Sequence, residues 1–123
     1  MRRVDVATLS APQLVDRFAE IGEAQYVALL DNDHRKYNRL YDLMGEVDNE
    51  LRSRGETARF ELLKLFDHPN DQVRLKAATH ALGVAPIGAR KVLEDLASDV
   101  AYPQTASARG LLGALDDGSF KPS

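Results

Sequence analysis

Cysteine and tryptophan are both absent from this 123-residue chain, and nowhere do 18 apolar residues follow one another. Without cysteine there is no disulfide, no thiolate nucleophile and no cysteine-held zinc, so a zinc ion would have to rest on histidine and carboxylates. Histidine is scarce too. His34, His68 and His80 are the only three, and none stands in an HExxH arrangement or beside a second ligand at metal-binding helical spacing. His68, next to Asp67 and near Asp71, is the best place for a loop metal ion, yet turn residues of this kind ordinarily cap helices. No metal and no cofactor is expected. The phosphate-loop patterns GxGxxG and GxxxxGKS or GxxxxGKT are missing, as is a GxSxG nucleophile elbow, so the chain is read as not an enzyme. The glycines at 83, 88, 110 and 113 fall in or between helices, where close packing accounts for them. No segment sustains an alternation of apolar and polar residues, which argues against strands.

A large excess of either charge is also lacking. Sixteen basic and nineteen acidic side chains leave a formal charge of -3, which repels phosphate backbones and anionic membrane surfaces at long range. The best basic patch is Arg35, Lys36 and Arg39 with Tyr37 and Tyr41 interleaved, since rings can stack on bases while cations meet phosphates. Both tyrosines, however, belong to the apolar stripe of their helix, and nucleic acid is not the expected partner. The opening MRRVDVATLS carries two arginines and then Asp5, without an apolar run of signal-peptide length. The chain is therefore expected to be cytoplasmic and not membrane-spanning. Its length and 44% hydrophobic content fit a single domain over residues 1–123.

What is present is helix. Ser10 followed by Pro12 marks a start, because the hydroxyl can cap free N–H groups and proline costs nothing in a first turn. From about Ala11 to Leu30, Leu14, Val15, Phe18, Ile21, Tyr26 and Leu29 share one arc, with Gln25 the polar residue inside it. A second helix opens at a cap on Asp31 or Asp33 and closes at Gly55, with Tyr37, Leu40, Tyr41, Met44, Val47 and Leu51 as its apolar stripe. The short connection predicts an antiparallel hairpin over 11–55. Beyond it the helices shorten and fill with alanine. Glu56 to Phe66 is read as one helix with Phe60, Leu62, Leu63, Leu65 and Phe66 making its apolar contacts, Gln72 to Val84 as the next, Pro86 to about Ala97 as another, and a last one follows Pro103 and ends near Leu115. DDGSFKPS, residues 116–123, is a terminator and tail in which Phe120 can fold back.

One charge breaks the pattern. On a wheel of 72–84, Arg74 lies in the middle of the arc of Val73, Ala77, Ala78, Ala81 and Leu82, with Gln72, Lys76, Thr79 and Gly83 opposite. A covered guanidinium requires a carboxylate and carbonyl partners, since leaving it unpaired costs about 3–5 kcal/mol. Asp67 can turn back across the loop to form that structural ion pair. This arrangement, with Leu62, Leu65, Asp67, Val73, Arg74, Ala77, Ala78, Ala81 and Leu82 in order, resembles the HEAT repeat, whose aspartate and arginine form a ladder inside stacked helix pairs. A degenerate second copy has Leu93, Leu96, Asp99, Arg109 and Leu115. The resemblance implies helix pairs over 56–115, so the expected fold is all-α: the N-terminal hairpin packed on a short HEAT- or armadillo-like α-α superhelix. Over nearly its full length the chain also resembles a small bacterial family known as domain of unknown function 2019, through YNRLYDLM (37–44), DHPNDQVRLKAA (67–78) and ALDDGSFKPS (114–123). That resemblance implies the helical-repeat fold and no catalytic residue.

Two groups of side chains are candidate binding sites. Asp42, Glu46 and Glu50 recur every four residues as an acidic row that helix stability alone would not select. They suit a protein partner with a basic surface, one concrete form being an immunity-type protein that masks a nuclease toxin. The alternative is a small-ligand binder or enzyme with a pocket between hairpin and repeats, lined by Gln25, Tyr37, Tyr41 and Asp48. In that arrangement Gln25 otherwise bonds a helix neighbour, and Asp48 otherwise meets a hydroxyl or a cation.

Overall fold

The structure, a computed structural model, describes residues Met1–Ser123 and contains six α-helices, two 3-10 segments and no strand. Backbone contacts divide it into two compact units, Met1–Glu61 and Leu62–Ser123. That boundary falls inside the segment read from sequence as the first repeat helix, six residues beyond Gly55.

In the first unit, α1 (Ala11–Leu30) and α2 (His34–Ser53) pack on one another. Ser10 opens α1 with a reciprocal capping box: its hydroxyl accepts from the Gln13 N–H, and the Gln13 side chain accepts from the Ser10 N–H. Asp33, rather than Asp31, caps α2 by accepting from the Lys36 N–H at 3.0 Å. Three residues join the helices, with Asn32 in the left-handed region at φ 54°. Leu14, Val15, Phe18 and Ile21 from α1, with Leu40, Met44, Val47 and Leu51 from α2, are buried, as their spacing predicts. Gly55 ends the pair at φ 99°, a conformation that side chains with a Cβ resist.

The expected helix over Glu56–Phe66 is replaced by a single turn, α3 (Glu56–Arg59), followed by a 3-10 helix over Phe60–Leu65. A period of three changes which side chains go inside. Arg59, Leu62 and Leu65 share the buried row, while Phe60 and Leu63, both expected to make core contacts, are 43% and 38% exposed.

In the second unit, α4 (Asp71–Ala81) packs against α5 (Pro86–Ala97) and α6 (Gln104–Asp117), and α5 packs against α6. The core comprises Leu75, Ala78, Leu82, Ala89, Val92, Leu93, Leu96 and Ala108, flanked by Phe66, Leu111 and Leu115. Alanines on α4 let its neighbours approach, and almost the whole circumference of this helix is covered. Gln72, which the wheel placed on the outer side, is therefore buried, and its side-chain oxygen accepts from Gln104 Nε2 at 3.0 Å, linking α4 to α6. Pairing the two amides removes the cost of enclosing either alone.

The tail folds back as its sequence allows: the Phe120 N–H donates to the Ala114 carbonyl. Asp117 accepts from Ser119, which holds its carboxyl below the usual carboxylate range. Further on, the Ser123 backbone lies so close to Gly83 that an added Cβ would come within 2.2 Å of its carbonyl carbon. Close approach thus accounts for Gly83, but Gly110 and Gly113 have no neighbour within 4 Å of such a Cβ, so packing does not account for them. Gly83→Ala is expected to push the tail off its seat while changing global stability by only about 0.5 kcal/mol. Hydrogen exchange would show faster exchange at the Phe120 amide with an unchanged core.

Candidate functional site

The lone arginine has its partners, but they are not those read from sequence. Arg74 is half-buried, and its Nε donates to the Phe66 carbonyl at 3.0 Å, closing the end of the preceding turn. Its carboxylate is Asp71, one turn earlier on the same helix at 3.8 Å, whereas Asp67 is exposed and makes no ion pair. The expected Asp67–Arg74 pair is thus corrected to Asp71–Arg74. Asn70 occupies the loop position from which the helix is capped, accepting from Gln72 and Val73, so Asp71 falls within the first turn, on Arg74's side.

The acidic row of α2 is engaged within the first unit. Glu46 is bound by Arg3, which also feels Asp42. Glu50 pairs with Arg54 at 2.8 Å. These contacts belong to a wider arrangement that the sequence did not disclose: Arg17, Arg39 and Arg54 donate to the carbonyls of Arg2, Met1, and Val6 and Ala7, respectively, laying the N-terminal segment along the helices. Arg3, Arg39, Asp42 and Glu46 with Leu43 line a hollow of about 350 Å³. Acid and base are therefore interleaved where a purely acidic surface was expected.

The second candidate group is spread from core to surface. Gln25 is fully buried and its Nε2 reaches Met44 Sδ at 3.9 Å. Asp48 meets a cation, accepting from Arg52 Nε at 2.8 Å. Beside them Arg59 is buried; burial first, and then the Arg52 charge, lower its guanidinium from the usual value, while Asp48 acts against both. Asp48 is a counter-charge for these arginines. Tyr37 is half-buried and Tyr41 is 58% exposed.

A further cleft holds no residue of either candidate binding group, although Asp67 and Arg74 line it. It lies wholly in the second unit, has a volume of about 870 Å³, and opens between the 63–74 segment and one face of α5. Leu63, Phe66 and Val92 give it an apolar floor, on which the Phe66 ring approaches Gly88. Lys64 and Asp67 stand on one wall, Lys91 and Asp95 on the other, with Asp71 and Arg74 at the base of the first. His68 also lines it, its Nδ1 accepting from the Asn70 N–H at 3.0 Å. No three of the histidine and carboxylate side chains converge to hold a metal ion. Nor is any helix long and apolar enough to cross a membrane.

Sequence reasoning missed this cleft because its two walls lie some twenty residues apart in the chain. The available signal was on α5, where Gly88, Lys91, Val92 and Asp95 follow the spacing of one helix face.

Fold and geometry thus define a wholly helical protein with an open, mixed-charge cleft in its C-terminal half. The chain belongs to the family described as Domain of unknown function (DUF2019), which it matches over residues 12–116. It is similar to a solved structure, that of the protein RPA1889 from Rhodopseudomonas palustris CGA009, at 42% identity over 98% of this chain and 100% of that one, with a TM-score of 0.94. No curated protein matches it.

Proposed function

We propose that this is a cytoplasmic helical-repeat protein whose work is to bind another protein. The repeat reading is supported by a duplicated contact. Arg74 Nε donates to the carbonyl of Phe66, the residue after Leu65, and Arg109 Nε donates to the carbonyl of Ala97, the residue after Leu96. Leu65 and Leu96 are the leucines that the two copies of the HEAT-like pattern place in register. In both copies the arginine closes the carbonyl end of the helix before it, which favours a HEAT-like pair of repeats over an unrelated bundle.

The observation that carries the binding reading is the cleft itself: an open, apolar-floored groove bordered by charges of both signs, in a fold whose stacked helices present such grooves to partners. An immunity-type role, with a basic toxin surface seated on Asp42, Glu46 and Glu50, would have to displace Arg3 and Arg54 first. The same volume lies within the range of small-molecule pockets, which supports small-ligand binding as a second reading.

Affinity capture from the native bacterium tests the proposal. The chain should recover a partner protein in stoichiometric amount. Binding unaffected by Glu46→Lys with Glu50→Lys would take the acidic row out of the interface. Recovery of no partner, together with a melting temperature raised by a metabolite, would replace protein binding by ligand binding.

A further inference from the structure

The geometry points to one class of occupant for the cleft: an extended segment of another protein that carries an apolar residue flanked by one acidic and one basic side chain. This inference rests on the protein-binding reading and specifies its site and ligand.

On α5, Arg90 pairs with Glu94 at 3.5 Å and with Asp116 of α6 at 2.9 Å. One residue further round the same helix, Lys91 and Asp95 have the same four-residue spacing and the same order of signs, yet no ion pair joins them or ties either to another group. Both are exposed and both border the cleft. Asp67, on the facing wall, is likewise exposed and unpaired. Along the cleft, Arg74 is paired with Asp71, but Lys91, Asp95 and Asp67 are left open, whereas the acidic row of α2 is closed by arginines of its own unit.

Spacing then selects the ligand. Four residues of helix separate Lys91 from Asp95 by about 6 Å along the axis. Two residues of an extended chain advance by about 6.6 Å, so side chains at positions i and i+2 of a bound segment can meet the two charges in turn. Successive side chains of an extended chain point to opposite sides, so residue i+1 turns away from α5 toward the facing segment, where Leu63 exposes 38% of its surface. An acidic residue opposite Lys91 and a basic one opposite Asp95 fix the direction of the segment. A single free amino acid would fill only a small part of about 870 Å³, whereas a segment of several residues can span both walls.

The test is selection of a displayed random peptide library on the full chain, repeated on the double variant Lys91→Asp with Asp95→Lys. Peptides enriched on the parent should carry acidic and basic residues two positions apart around an apolar one, and should shift the amide resonances of Leu63, Gly88 and Val92. The double variant should bind those peptides about tenfold more weakly, enrich the reversed order of charges, and melt at the parent temperature because neither residue is paired in the fold. Enriched sequences indifferent to the exchange, shifts confined to other surfaces, or no enrichment would overturn the inference. If the cellular partner is captured equally by parent and double variant, the cleft assignment fails while the protein-binding reading stands.

Discussion

Phe18→Ala should lose about 3–5 kcal/mol of stability, the range for truncating a fully buried phenylalanine, and lower the melting temperature by roughly 10–20 °C. Phe18 has no exposed surface, and the apolar arc of α1 on which it sits is covered along its length. Removing the ring deletes its transfer free energy and leaves a cavity that two packed helices close only in part. Phe60→Ala is the control. That ring sits on the outward row of the 3-10 helix and is 43% exposed, so its loss should cost about 1 kcal/mol or less. Chemical denaturation of the two variants separates the effects cleanly. Similar losses would mean that the chain from Glu56 to Phe66 is one continuous α-helix, with Phe60 turned inward.

That contrast shows where the sequence is legible. α1 and α2 could be read nearly to the residue because each carries its signals within itself: a cap on Ser10 or Asp33, a long apolar arc, and Gly55 where the chain turns. The segment after Gly55 has no such redundancy. The five apolar residues of FELLKLF satisfy a period of 3.6 and a period of 3 almost equally, and only the structure shows which of them are covered. Gln72 was misread for a related reason. A helix covered on nearly every side has no preferred outer face, so its wheel carries little information.

The candidate site was less legible still, because charges were judged without their neighbours in space. Asp42, Glu46 and Glu50 formed an uncompensated row only so long as Arg3 was treated as a distant residue. Lys91 and Asp95 drew no notice, since an opposite pair four residues apart on a helix ordinarily closes on itself. Their significance depends on what lies opposite, across a cleft formed only when α4 folds against α5.

Arg74→Ala should destabilise the fold by about 2–3 kcal/mol, through loss of a charged hydrogen bond and of the covered side-chain stem. Asp71, Asp67 and Arg109 then rank below it in a definite order. Asp71→Asn removes one end of a 3.8 Å ion pair and an anion from a helix N-terminus, which together contribute about 1 kcal/mol. Asp67→Ala should change stability by about 0.5 kcal/mol or less, because its carboxylate is exposed and makes no ion pair. Arg109→Ala, an exposed arginine on the equivalent carbonyl, should cost about 1 kcal/mol or less, less than Arg74 because its stem is not covered. Equilibrium urea unfolding of the four variants decides the point. If Asp67→Ala proved as costly as Arg74→Ala, the counter-ion would be the loop aspartate, as the repeat pattern had it. If Asp67→Ala were silent, the arginine would owe its place to the Phe66 carbonyl, and the same account would extend to Arg109 and Ala97: at both of these helix ends a guanidinium of the following helix closes the carbonyl.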